Sequence, residues 1–159
     1  MGFQKPEAVM TRFRHILVPV DLEGPPQEAL EVAVDLALTF DARLTLIHAW
    51  EVPAAAYAAM TYVPDDFWTA IKHVATEQLK SAVESVRKRL PRAESILAKG
   101  PPAHQILAAA DRTKADLIVM GTHGRRGISH VLLGSVAEKV VRLSPVPVLT
   151  IRGKDREQA

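Results

Sequence analysis

Short apolar runs alternate along the chain with longer stretches in which apolar and polar residues recur at helical spacing. His15-Ile16-Leu17-Val18-Pro19-Val20-Asp21 is apolar almost throughout and ends in Glu23-Gly24-Pro25-Pro26. That is the composition of a strand buried on both faces and stopped by turn residues. Over 26–40, Leu30, Ala33, Val34, Ala37 and Leu38 fall at helical spacing, which predicts a helix laid on a sheet. A second strand is expected over 43–50, followed by a connection at 51–63 rich in alanine and aromatic residues.

Pro64, Asp65 and Asp66 suit a helix start, because proline fits the first turn and carboxylates favour the positive end of the dipole. The spacing carries this helix to about Leu90, with Phe67, Ile71, Val74, Leu79, Val83, Val86 and Leu90 on its buried face. A third strand over 93–98 reaches Gly100-Pro101-Pro102, which opens a helix through Ile106, Leu107, Ala109 and Ala110 to about Thr113. The fourth strand is placed at 116–120. A helix over 133–143 and a last strand, Val146-Pro147-Val148-Leu149-Thr150-Ile151, complete the pattern. Strands alternating with helices predict an α/β fold, a parallel sheet covered on both faces by helices in right-handed crossovers.

A chain of 159 residues fits one domain, and no repeat or shift in composition marks a second. The expected organisation is a disordered leader at 1–12, one domain at 13–152 and a charged tail at 153–159. The absence of cysteine excludes disulfides, thiolate nucleophiles and cysteine-ligated zinc, and fits a cytoplasmic protein. The N-terminal residues lack a signal-peptide layout, and no apolar run is long enough to cross a bilayer, so no membrane partner is expected. With a net charge of +2 and basic residues interspersed among acidic ones, no nucleic-acid partner is expected either.

The chemistry concentrates after the fourth strand. Met120-Gly121-Thr122-His123-Gly124-Arg125-Arg126-Gly127 leaves it, and nine residues separate Gly124 from Gly134-Ser135 at a helix start. A phosphate chain needs several converging backbone N–H groups, which side chains at Cβ would obstruct, so Gly121, Gly124 and Gly134 suit such a loop. The following helix adds unpaired N–H groups and its positive dipole end, and Ser135 can donate its hydroxyl. The spacing fits neither G-x-G-x-x-G nor G-x-x-x-x-G-K-[ST], so the dinucleotide fingerprint and the Walker A loop are both absent.

Blander readings stand beside this one. The glycines could merely end a strand and admit a close helix; Asp21 could cap a turn; Arg125 and Arg126 could be a solvated pair. His123 and His130 have no partner at metal-ligand spacing. His48 reads as a satisfied sheet residue, and His15 and His104 lie at element edges. None of these histidines is given a chemical role, and no catalytic or metal-ligating residue is named.

The pattern G-x-x-G-x9-G-S resembles that of the ATP-binding branch of the universal stress protein family. Ile16-Leu17-Val18-Pro19-Val20-Asp21, Leu46-Ile47-His48-Ala49 and Ser144-Pro145-Val146-Pro147-Val148-Leu149 are similar to its first, second and last strands. The resemblance implies an open five-stranded parallel sheet of order 3-2-1-4-5, Rossmann-like and of the adenine nucleotide alpha hydrolase type. In such a sheet, strands one and four meet at the switch point where ligands bind. It implies that Pro19, Val20 and Ala49 line an adenine pocket and that Asp21 contacts adenine or ribose. Met120, Gly121 and Gly124 would flank ribose and phosphates, with Arg125, Gly134, Ser135 and Val136 at the phosphate end. Any Mg2+ would be held by phosphates and water. Homodimers through the last strand, 146–151, are also implied.

One departure is that Asp21 is followed by Leu22-Glu23-Gly24, where family members often carry a serine. A hydroxyl is lost there, and Glu23 brings negative charge toward the phosphates. The function this implies is an ATP-binding, homodimeric regulator in stress response. The alternatives are an interaction module of the same fold without nucleotide, or a slow ATPase.

Overall fold

The computed structural model describes residues 12–22, 27–51, 58–59, 62, 64–122 and 133–153. The expected leader before residue 12, most of the 51–63 connection and the tail beyond 153 lie outside the described residues. The elements with described bounds follow in order: β1 (His15–Pro19), α1 (Glu28–Phe40), β2 (Arg43–Trp50), α2 (Asp65–Arg87), β3 (Glu94–Lys99), α3 (Pro102–Thr113), β4 (Leu117–Gly121), α4 (Ser135–Leu143) and β5 (Val148–Ile151). All five strands are parallel, in the order β3-β2-β1-β4-β5, as the resemblance implied.

The side-chain alternation of the central strands divides the core in two. Ile16, Val18, Leu44, Leu46, Leu117 and Val119 face α1 and α2, where Ala33, Val34, Leu79 and Val83 meet them. Leu17, Ile47, Ile118 and Met120 face α3 and α4 and pack on Ile106, Ala109, Ala137 and Val140. Covering both faces explains why β1 and β4 are apolar runs with no alternation of their own. Alanines on α1 and α3 (Ala29, Ala33, Ala37; Ala103, Ala109, Ala110) are buried and bring these helices close to the sheet. Arg89 bridges from the end of α2 to Glu31 at 3.1 Å and Asp35 at 2.6 Å on α1.

The helical faces differ in detail from the periodic reading. On α2 the buried set is Ala75, Leu79, Val83 and Val86, while Val74 is exposed. Ala75 precedes Leu79 by four residues and so shares its stripe, whereas Val74 sits outside it. On α1, Ala29 is buried and Leu38 turns outward. The helix α2 also stops at Arg87 rather than Leu90.

Gly100 closes the β3–α3 connection at φ +133°, a conformation open to glycine, and its N–H donates to the Trp50 carbonyl at 2.9 Å. Among the described residues no helix is long and apolar enough to cross a membrane.

Candidate functional site

The strand order brings the C-terminal ends of β1 and β4 together, and the pairing between them is short. β1 pairs with β4 only through Ile16–Leu117 and Leu17–Ile118. Beyond that point β1 stays with β2 as far as Pro19–Ile47, and β4 stays with β5 as far as Gly121–Ile151. The two halves of the sheet therefore part at their C-terminal ends. This is the switch point of an open α/β sheet, where a crevice forms without any special side chain.

The β1 wall of the crevice is held by β2. The Val20 N–H donates to the Ile47 carbonyl at 2.9 Å, and the His48 ring Nδ1 donates to the Val20 carbonyl at 2.9 Å. A carbonyl can only accept, so this bond places the imidazole proton on Nδ1. Val20 is buried, while Pro19, Asp21 and Ala49 are partly exposed at the same end of the sheet.

The β4 wall is closed by two backbone bonds. Thr122 is buried, its N–H donating to Ile151 at 3.0 Å, and its carbonyl accepts from the Gly134 N–H at 2.6 Å. The second bond ties the start of α4 to the end of β4. Gly134 is the N-cap of α4, in extended conformation at φ −70° and ψ 161°. Having no side chain, it cannot cap the N–H groups that follow, and the first intrahelical bond runs from Glu138 N–H to the Gly134 carbonyl at 2.8 Å. The N–H groups of Ser135, Val136 and Ala137 thus open toward the crevice end of the sheet, where an anion or water can accept from them.

Of the residues named from sequence, Pro19, Val20, Asp21, Ala49, Met120, Gly121, Gly134, Ser135 and Val136 come together at this C-terminal edge. Met120 is buried against the α3–α4 core, Val136 packs on the same core, and Ser135 is exposed. Gly124 and Arg125, like Glu23, His123, Arg126 and His130, lie outside the described residues. Two contributors had no sequence signal. His48 reaches Val20 across 28 residues, and the bond between Thr122 and Gly134 involves backbone alone.

A cavity of about 520 Å3 also touches Val20, Asp21 and Leu22, but its remaining walls come from α1, α2 and the residues flanking them, including Gln27, Leu30, Glu31, Ser81, Ser85 and Arg89. It lies on the α1–α2 side of the sheet, away from the β4–α4 wall.

Comparison with known proteins agrees with this geometry. The model of the universal stress protein family matches residues 12–152. The chain belongs to the universal stress protein family. Universal stress protein YxiE of Bacillus subtilis is 35% identical over 147 residues, covering 88% of this chain and 99% of the relative. Among solved structures, that of protein MJ0577 superposes with a TM-score of 0.71 at 27% identity, over 91% of this chain and 99% of that one. A universal stress protein in complex with cAMP superposes with a TM-score of 0.64 at 25% identity, over 90% of this chain and 99% of that one. This universal stress protein therefore spans nearly the whole length of the relatives it resembles.

Proposed function

We propose that this universal stress protein binds an adenine nucleotide, with ATP as the ligand, in the crevice between β1 and β4. Its output is the nucleotide-bound state rather than rapid turnover. The observation that carries the reading is the parting of β1 from β4 beyond Leu17–Ile118, beside a glycine-capped helix start tied back to Thr122. One side of the crevice is apolar with a carboxylate at Asp21, which suits a purine and a ribose hydroxyl. The other side ends in unpaired helix N–H groups, which suit phosphate. A related protein with cAMP bound supports the adenine class of ligand. Within that site Pro19, Val20 and Ala49 flank the base and Asp21 the ribose. Met120, Gly121 and Gly124 pass along ribose and phosphates, and Arg125, Gly134, Ser135 and Val136 take the phosphate end. Any Mg2+ would enter on the nucleotide's own phosphates.

Equilibrium titration of the purified protein with ATP, ADP, AMP and cAMP tests this reading, with Gly124→Val and Ser135→Ala as controls. Saturable ATP binding weakened by Gly124→Val is the expected result. No saturable binding of any of the four at millimolar concentration would sink it.

The same reading includes a homodimer through β5, acting as a regulator in stress response. β5 pairs with β4 along one edge, and Leu149 on this strand is 38% exposed, with Val141 and Leu143 of α4 also exposed. An edge strand carrying apolar residues invites a second copy. Sedimentation of the wild type against Leu149→Lys is the test: a dimer turned monomeric supports this interface, and a dimer unmoved by the charge places the contact elsewhere.

A further inference from the structure

Among the described residues His48 is the one histidine that reaches the crevice wall, and its placement argues for a task that the nucleotide reading does not yet assign. Along β2 the side chains alternate: Leu44 and Leu46 face α1 and α2, and Ile47 faces α3 and α4. By that alternation His48 follows Leu44 and Leu46, whereas Ala49 follows Ile47. His48 thus stands behind the sheet from the Ala49 side, and its reach is to the main chain of β1.

That reach comes where the strand ladder ends. The last β1–β2 pair is Pro19–Ile47. One residue further on, Val20 keeps its N–H on Ile47, but its carbonyl is taken by the His48 ring at 2.9 Å. A side chain is longer than a ladder bond, so β1 departs from β2 without losing its hydrogen-bond partner. Asp21 is the first residue beyond the strand ladder and its two Val20 bonds. Both backbone groups of Val20 are therefore fixed from β2, and the direction in which Asp21 leaves the sheet follows from them.

We propose that His48 is a positioning residue for the nucleotide, holding the turn at residues 20–21 in the place where Val20 meets the base and Asp21 the ribose. The proposal rests on the adenine nucleotide reading of the same site. Deleting the donor frees the Val20 carbonyl to turn toward water and loosens the turn at Val20, which raises the ordering cost of binding. Leucine at 48 fills the volume without a donor. Asparagine offers an amide N–H the same number of bonds from Cα as Nδ1 of histidine.

Calorimetric titration of wild type, His48→Leu and His48→Asn with ATP and with ADP is the experiment. In His48→Leu both affinities fall roughly tenfold, in the range set by one lost, partly buried hydrogen bond. The ratio of the two affinities stays within about twofold, because the phosphate end is untouched, and His48→Asn recovers most of the loss. Wild-type affinity in His48→Leu overturns this proposal and leaves the nucleotide reading standing. A collapse of the ATP-to-ADP ratio, or no recovery in His48→Asn, overturns it too, since either result reports general damage rather than a lost donor. A wild type that binds neither nucleotide overturns both readings together.

Discussion

The Gly134 N–H donates to the Thr122 carbonyl at 2.6 Å, and through that one bond the start of α4 is fastened to the end of β4. The bond fixes where the α4 N-terminus sits relative to the crevice, which a loop alone would leave loose. Gly134→Pro removes it, because the native φ of −70° already suits proline while the substitution deletes the N–H, and Gly134→Ala, which adds a Cβ but keeps the N–H, is the variant it is compared with. The expected outcome is a melting temperature lowered by roughly 2–6 °C, the effect of one modest hydrogen bond in a chain of this size. ATP affinity falls by about tenfold or more, because the helix N–H groups lose their aim. An affinity equal to wild type would show that this bond does not position the helix start.

At the opposite end of the sheet, Asp116 performs a structural task that should leave ligand binding alone. Its carboxylate accepts from the Arg14 N–H at 2.9 and 3.1 Å and from the His15 N–H at 3.0 Å, and its own N–H donates to the His15 carbonyl at 2.9 Å. It therefore caps the start of β1 from the residue before β4. Asp116→Ala strands those donors and is expected to cost about 1–3 kcal/mol, read as a shift of the urea or thermal midpoint. Asp116→Asn keeps one acceptor oxygen and falls between. Nucleotide affinity stays at the wild-type value in both, because the crevice is at the other end of the strands.

How far the sequence reaches can be judged from particular residues. The strands and their buried faces follow from local pattern, since Leu44, Leu46, Leu117 and Val119 are apolar whatever surrounds them. The boundaries do not, because distant partners set them. The first strand reads as 15–21 but ends at Pro19, where a histidine 28 residues away takes the Val20 carbonyl. The last strand reads from 146 but begins at Val148, because the Ser144 hydroxyl donates to the Val146 carbonyl and accepts from the Val146 N–H, making a turn. The final helix reads from 133 but starts at Ser135, since Gly134 is held extended by Thr122. Glycine spacing pointed to the C-terminal end of β4, where Gly121 and Gly134 lie. The backbone bonds that shape it leave no trace in a single sequence.

His15 stands at the edge of a strand, at the start of β1, and is only 2% exposed. Its Nδ1 donates to the Thr113 carbonyl at 2.9 Å and its Nε2 accepts from the Thr45 hydroxyl at 2.8 Å. Burial lowers its pKa below the ordinary 6.5 and the nearby Arg43 lowers it further, against the opposing pull of the Thr113 carbonyl. The unfolded chain therefore takes up this proton before the folded one does. Stability is whole above about pH 6.5 and declines as pH falls from there toward the folded-state value, by at most about 1.4 kcal/mol per pH unit for one proton. His15→Gln removes this component. Urea midpoints at pH 7.5, 6.5 and 5.5 should fall less steeply in the variant than in the wild type, and parallel lines would show that His15 does not supply the slope.

The chain's two tryptophans meet over one lysine. Lys99 Nζ lies 5.4 Å from the Trp50 ring centroid and 5.7 Å from that of Trp68, and Trp68 stacks edge-on with Phe67 at 5.1 Å. Lys99 is also the β3 partner of Trp50 in the sheet, so the ammonium pins the start of α2 to the ends of β2 and β3. Two partly exposed cation–π contacts contribute about 0.5–1 kcal/mol each. Lys99→Met keeps the aliphatic stem and removes the charge; a melting temperature lower by roughly 2–6 °C is expected. Because both tryptophans lie in this cluster, the same substitution must change the emission spectrum of the native protein, and an unchanged spectrum would rule the contact out in solution. Trp50 directly follows Ala49 at the crevice. ATP should therefore alter wild-type emission with the same saturation curve that calorimetry gives. In Lys99→Met the amplitude of that change differs, while the affinity moves by no more than about threefold, since Lys99 lies over the two tryptophans and is not one of the residues proposed to contact the nucleotide.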